Sequence, residues 1–234
     1  MSFVLEDSEG ARVKVAGEVL PLALIVTLSP LNILPVILLL FTRRPLLSSS
    51  CFLAAFVVGV TIVLAAGVLI ADAIDHSAGS SDSTWVTVVK FVLGVYLAVA
   101  AVRKFRGRPR DGEETSMPKR MEAIAGFSPG KSLGAGLLLG ALNPKNLVAG
   151  LAAATTIANA ALSGGQQFAV IAAYVVVAAL GVAVPIMVTL VLGERSHEVL
   201  DRWKSWLGRN SATVMSTLFA LFGAVLIGQA VAAA

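Results

Sequence analysis

Six apolar runs, each long enough to cross the ~30 Å hydrocarbon core of a bilayer, occupy approximately residues 19–41, 52–71, 85–102, 132–154, 168–192 and 211–232. No other property limits the fold as tightly. In hydrocarbon a backbone must pair its own amides and carbonyls, and runs of this length do so as helices. The chain is 57% hydrophobic and 14% charged with a mean hydropathy of +0.86, far too apolar for an ordinary soluble domain. The sequence therefore predicts an all-α integral membrane protein with six transmembrane helices. The fourth run is the least regular: residues 132–163 contain one charge, Lys145, and have room for a span plus a re-entrant or interfacial piece.

Lysine and arginine sort between alternate loops. Arg43 and Arg44 lie in one, the stretch from Arg103 to Lys131 is a second, and Arg195, Arg202, Lys204 and Arg209 mark a third. The opposite loops carry Asp72, Asp75 and Asp82, or, over 155–167, no charge at all. The basic loops are predicted to be cytoplasmic, which puts both termini outside the cytoplasm. The same sorting accounts for the net charge of +4 without nucleic acid. The acidic residues Glu6, Asp7 and Glu9 and the long run after them do not fit a signal peptide, so the first span is expected to be retained. Cys51 is the only cysteine and reads as a small buried hydrophobe; His76 and His197 fall on opposite faces and cannot share a metal. No metal or other cofactor is expected.

A polar, proline-bearing interruption occurs twice inside these apolar runs: Leu28-Ser29-Pro30-Leu31-Asn32 and Leu142-Asn143-Pro144-Lys145-Asn146. A lysine at bilayer depth costs roughly 2.5–3.5 kcal/mol on insertion scales, so such residues usually serve a pathway or a binding site. Proline is favoured at the first position of a helix, where a preceding Ser or Asn can cap, so each interruption predicts a helix that stops and restarts. The new half-helix would aim its free amides inward and favour an anionic group, with Lys145 adding a full cation. Asn32 and Asn146 can satisfy freed carbonyls or donate to a substrate. The plainer reading of each proline is a tolerated kink, as expected for Pro185, and of Lys145 a side chain snorkelling to an interface.

Aligning the interruptions also sets Ala54-Ala55-Phe56-Val57-Val58 on Ala172-Ala173-Tyr174-Val175-Val176, and more weakly Leu93-Gly94 on Phe222-Gly223. With three spans per half, the second half must insert upside down, so the chain reads as two inverted three-helix repeats with broken first and fourth helices. The expected organisation is a single membrane domain, with repeat one over about 18–104, a basic cytoplasmic linker over about 103–131 and repeat two over about 131–232. The candidate translocation site comprises Ser29, Pro30, Asn32, Asn143, Pro144, Lys145 and Asn146, with Lys90 as a further cation that snorkelling outward also explains. Gly136 with Gly140, and Gly94 with Ala98, offer close helix contacts within the bundle. Residues 196–208 place Val199, Leu200, Trp203, Trp206 and Leu207 on one face, the pattern of a helix lying flat in the membrane interface.

With its size, its broken first span, its basic central loop and Leu142-Asn143-Pro144-Lys145-Asn146 opening the second half, the chain resembles the glycolipid-addressing (GAP, or Sap-like) proteins of the LysE exporter superfamily from about Val19 onward. The resemblance implies an inner (plasma) membrane protein of mycobacteria and related actinobacteria that helps move glycolipids toward the cell envelope, with lipid or glycolipid substrate, membrane lipids and envelope-lipid synthesis or export proteins as partners. One departure is informative. LysE-type amino-acid exporters carry Pro-Gly-Pro near the first break, and this chain has Ser29-Pro30-Leu31-Asn32 instead, which argues against a free amino acid as cargo.

The functional expectation is a transporter of a glycolipid or other anionic lipid. The alternatives are an exporter of a small solute or ion and a non-transporting scaffold of a lipid-export machine. No carboxylate lies within a predicted span core, which disfavours a cation as cargo. The chain has no Ser-His-Asp set, HExxH or Walker motif, so it is not expected to be an enzyme.

Overall fold

The computed structural model describes residues 2–78, 84–107, 123–160 and 162–232. Most of the predicted 103–131 linker, including Arg108, Arg110, Lys119 and Arg120, lies outside them, as do Asp82 and the side chain of His76. The described residues form helices α1 (Ser2–Thr27), α2 (Pro30–Leu40), α3 (Pro45–Ala78), α4 (Thr84–Arg106), α5 (Pro129–Ala141), α6 (Pro144–Ala158), α7 (Gly164–Leu192) and α8 (Ser196–Ala232), with single 3-10 turns at Ala123–Gly126 and Gly193–Arg195. By length and composition α3 and the α7–α8 stretch are able to cross a membrane, and each of the pairs α1/α2 and α5/α6 qualifies when taken together.

Both predicted interruptions are real. Gly10–Thr27 and Pro30–Leu40 meet at 49°, and Pro129–Ala141 and Pro144–Ala158 at 52°. Pro185, by contrast, sits inside a continuous α7, where the hydroxyl of Thr189 donates to its carbonyl at 3.0 Å. The same residue type marks two breaks yet is tolerated inside α1 as Pro21, α2 as Pro35 and α7 as Pro185. The difference is the residue before it: Ser29 and Asn143 take extended backbone angles, while Ala183 and Val184 remain helical.

The most extensive helix packing crosses the midpoint of the chain. α1 packs on α6 and α7, α3 on α5, α6 and α7, and α4 on α8, while α2 touches both α7 and α8. In a bilayer these contacts gain from van der Waals fit, and small residues let backbones approach. A Cβ at Gly140 would stand 2.6 Å from the carbonyl oxygen of Phe56, and one at Gly136 closer still to that of Phe52, so α3 and α5 run parallel and nearly backbone to backbone. Gly94 and Gly223 face each other's carbonyls at 3.1 and 3.0 Å from a built Cβ, and the further contacts of Gly94 with Ile227 and of Gly223 with Ala98 make α4 and α8 antiparallel. The interior holds Phe52 and Phe56, stacked at 6.3 Å, together with Tyr174, Leu64, Leu97 and Leu226, all below 2% exposure.

Two expectations are corrected. Residues 196–208 are not a separate helix but the first turns of the uninterrupted 37-residue α8. The chain reverses at Gly193, whose φ of 53° is left-handed. Leu200 and Leu207 are buried and Trp203 packs on the core, so part of the apolar face serves protein packing, while Trp206 of the same face stays exposed. Cys51 is half-buried rather than buried.

Candidate functional site

The end of a helix leaves its last carbonyls without intrahelical partners, and at the end of α1 their partners can be followed one by one. The Leu24 carbonyl accepts from Leu28 N at 2.9 Å and that of Ile25 from Lys145 Nζ at 2.7 Å. The Val26 carbonyl accepts from Asn32 Nδ2 at 3.0 Å, and that of Thr27 abuts Gly181 of α7. The end of α5 repeats the device: Leu138 O accepts from Leu142 N at 2.8 Å, and Leu139 O from Asn146 Nδ2 at 2.7 Å. Asn32 and Asn146 thus do the carbonyl-satisfying work expected of them, each from two residues past its proline.

The restarting helices differ in one detail. Asn143 caps α6 through its side chain, which accepts from Lys145 N at 3.2 Å. Ser29 occupies the matching place before α2 with similar backbone angles, but its hydroxyl makes no cap bond and is buried without a partner. The two breaks touch: Asn143 Nδ2 reaches Asn32 Oδ1 at 3.5 Å, a long hydrogen bond between residues 111 apart in sequence.

Lys145 is 6% exposed, so it does not snorkel. Its ammonium lies at the start of α6 and at the carbonyl end of α1, where a helix dipole favours a cation. Among the described residues no carboxylate pairs with it. A lysine ammonium has three donors and the Ile25 carbonyl takes one. Nearby elements hold three buried polar atoms with no hydrogen bond: Ser29 Oγ, Asn146 Oδ1 and Tyr174 OH. An unmet buried polar group costs about 1–3 kcal/mol, so each of the three is a local cost to stability.

The family model described as Sap, sulfolipid-1-addressing protein, matches residues 19–232. The chain belongs to this Sap family. No curated protein and no solved structure matches it. The match takes in both breaks and every helix from α2 to α8, so the junction lies wholly within the Sap region. The family's description ties this membrane protein to lipid-related transport.

In this Sap-family chain the first break also faces an apolar groove of about 440 Å³, walled by Thr27, Leu28, Ile33, Val184, Trp203 and Trp206 among others. Thr27 lines this groove, and its single hydroxyl proton has two acceptors in reach, the carbonyl of Ala23 in its own helix and that of Val177 across the helix interface. Sequence reasoning overlooked Thr27 and Tyr174. The signals were slight: a hydroxyl at the last residue before a break, and a tyrosine where the other half of the chain has Phe56. Of the predicted site residues, Ser29, Pro30, Asn32, Asn143, Lys145 and Asn146 are buried at the junction and Pro144 is exposed beside it. Lys90 is not brought there. It is half-buried on α4, with Glu18 of α1 as its electrostatic partner.

Proposed function

We propose that this protein is a membrane transporter, not an enzyme, that carries a glycolipid or another anionic lipid across or out of the plasma membrane. The observation that carries the reading is the conjunction at the first break: on one hand a buried cation, with no carboxylate partner among the described residues, that bonds the Ile25 carbonyl, and on the other an apolar groove lined by Thr27 and Leu28 just after it. A lipid has the same two-part chemistry. The anionic head group would meet Lys145 and the starts of α2 and α6, and an acyl chain would lie along Leu28, Ile33 and Trp203. Membership of a family described as sulfolipid-1-addressing supports a sulfated or otherwise anionic glycolipid as cargo.

The architecture we infer is six spans in two inverted three-helix repeats. Its support is the crossing of α4 and α8 at the aligned residues Gly94 and Gly223 in antiparallel sense, and the burial of the aligned pair Phe56 and Tyr174. The matching bonds Leu28 N to Leu24 O and Leu142 N to Leu138 O add to it. Alternating access would then rock one repeat against the other about the junction, exchanging the Lys145 and Asn143 bonds for contacts with cargo. The basic end of the bundle is assigned to the cytoplasm and both termini to the opposite side. Proteins of envelope-lipid synthesis or export would be its partners.

The test is lipid-resolved mass spectrometry of the protein purified in mild detergent, for wild type, Lys145→Gln and Lys145→Ala. Glutamine keeps a donor for the Ile25 carbonyl but loses the charge, so it separates charge from fold. Enrichment of an anionic lipid over bulk membrane in wild type, lost in a stably folded Lys145→Gln, is the expected result. A profile equal to bulk membrane in all three proteins rejects a lipid cargo at this site.

A further inference from the structure

A second cavity, of about 420 Å³, lies at the end of the bundle where α2 passes into α3 and where α5 begins. Its lining includes Thr42, Arg43, Arg44, Ser48, Phe127 and Ser128, and among the described residues no carboxylate lines it. The volume is in the ~300–1,000 Å³ range of ligand pockets. Two long helices start on it. Arg44 heads α3, its carbonyl accepting from Ser48 N at 3.0 Å, and Ser128 heads α5, its carbonyl accepting from Ser132 N at 2.9 Å. Each helix opens on a proline, Pro45 and Pro129, which has no amide to donate; the Ser128 hydroxyl accepts from Lys131 N, so the amides left without an acceptor are those of Leu46 and Leu47 in α3 and Gly130 in α5, and both dipoles present positive ends. Ser48 is 1% exposed yet lines the cavity, and none of the described residues bonds to its hydroxyl. Arg43 and Arg44 are exposed, with no ion pair among the described residues.

The charge bias of membrane loops explains why two arginines are at this end. It does not explain a walled cavity lined by an otherwise buried serine and two converging helix starts. We propose that this cavity is a binding site for a tetrahedral oxyanion, a phosphate or sulfate group, borne on a lipid head group or free in solution. The planar guanidinium forks of Arg43 and Arg44 would grip two of its oxygens, and Ser48 and the free helix-start amides would supply the remaining donors, the Thr42 hydroxyl being engaged with the Leu39 carbonyl. The site is separate from the junction at Lys145 and does not depend on the transport reading. A scaffold that moved nothing would have it too.

The experiment uses the full-length protein in phosphatidylcholine nanodiscs with and without phosphatidylglycerol, reading retained phosphatidylglycerol by native mass spectrometry. In parallel, inorganic phosphate is titrated into the lipid-neutral sample and thermal stability followed. Wild type should bind one or both probes saturably. Arg43→Gln with Arg44→Gln should weaken binding about 100-fold, roughly tenfold per charge-assisted arginine contact. Arg103→Gln with Lys104→Gln removes equal charge from the same end of the bundle and should change it by less than about twofold. Arg43→Lys with Arg44→Lys keeps the charge and the fold but not the forks, and should still lose about tenfold. Retention of phosphatidylglycerol without a phosphate response identifies a lipid head group, and the reverse a free anion. Equal loss in the two glutamine pairs, full binding by the lysine pair, or no binding of either probe by wild type overturns the site.

Discussion

Replacing Gly181 by alanine should be the most damaging single-methyl change in the protein. A Cβ at this position of α7 would run into the carbonyl oxygen of Thr27, the last residue before the first break, and also crowd its carbonyl carbon and Cα. Neither partner can escape by turning a side chain, because both are backbone, so the cost belongs near the top of the ~1–3 kcal/mol range for overpacking. Pushing the helices apart also strips the bond from the Thr27 hydroxyl to Val177, worth about 1 kcal/mol. Against this stands a gain of up to ~1 kcal/mol from removing a glycine within a helix. The net is about 3 kcal/mol, which for a chain of this size corresponds to a fall of roughly 6–12 °C in midpoint. The assay is thermal unfolding in detergent with Gly134→Ala and Gly228→Ala as references, since a Cβ at either meets nothing within 4 Å. Both references should unfold at or slightly above wild type. A Gly181→Ala midpoint indistinguishable from theirs would show that α1 and α7 do not touch at the break.

Further expectations rest on the same junction. Tyr174→Phe removes a buried hydroxyl that has no partner, so stability should hold or rise by up to about 2 kcal/mol in thermal unfolding; a loss would mean the hydroxyl is bonded. Asn32→Ala and Asn146→Ala each strand a helix-end carbonyl and should each lower stability by about 1–3 kcal/mol, while the Asn32–Asn143 pair, at 3.5 Å, should show a double-mutant coupling below about 0.5 kcal/mol. A compartment-sensitive reporter fused to Ala234 should read the non-cytoplasmic side, and a cytoplasmic signal would invert the orientation inferred from the basic loops.

What the sequence disclosed and what it hid divide along the line between local and distant causes. A capping residue followed by proline needs no tertiary context to restart a helix, so Ser29-Pro30 and Asn143-Pro144 were legible at once. So was the need of freed carbonyls for donors from Asn32 and Asn146. The partner of Lys145 was hidden, because the Ile25 carbonyl is a backbone group 120 residues away and leaves no mark in the identity of residue 25. Residues 196–208 misled for a different reason. An amphipathic stripe signals an apolar surface on one side but does not distinguish lipid from protein, and only the reversal at Gly193 lays Leu200 and Leu207 against the bundle. The basic cavity was half visible: Arg43 and Arg44 stood out as loop charges, while the start of α5 that completes the walls is about 85 residues downstream.

The bond from Lys145 to the Ile25 carbonyl also bears on how the protein is made. Synthesis runs from the amino terminus, so the first broken helix enters the membrane before residue 145 has been added to the chain. Until then the Ile25 carbonyl has no ammonium, and Thr27 has neither Val177 nor Gly181 to pack against. The early-made half is an unfinished object in the bilayer, dependent on a segment not yet synthesised. A stop codon in the linker would leave a product that quality-control proteases recognise, and supplying the later half as a separate chain would restore it.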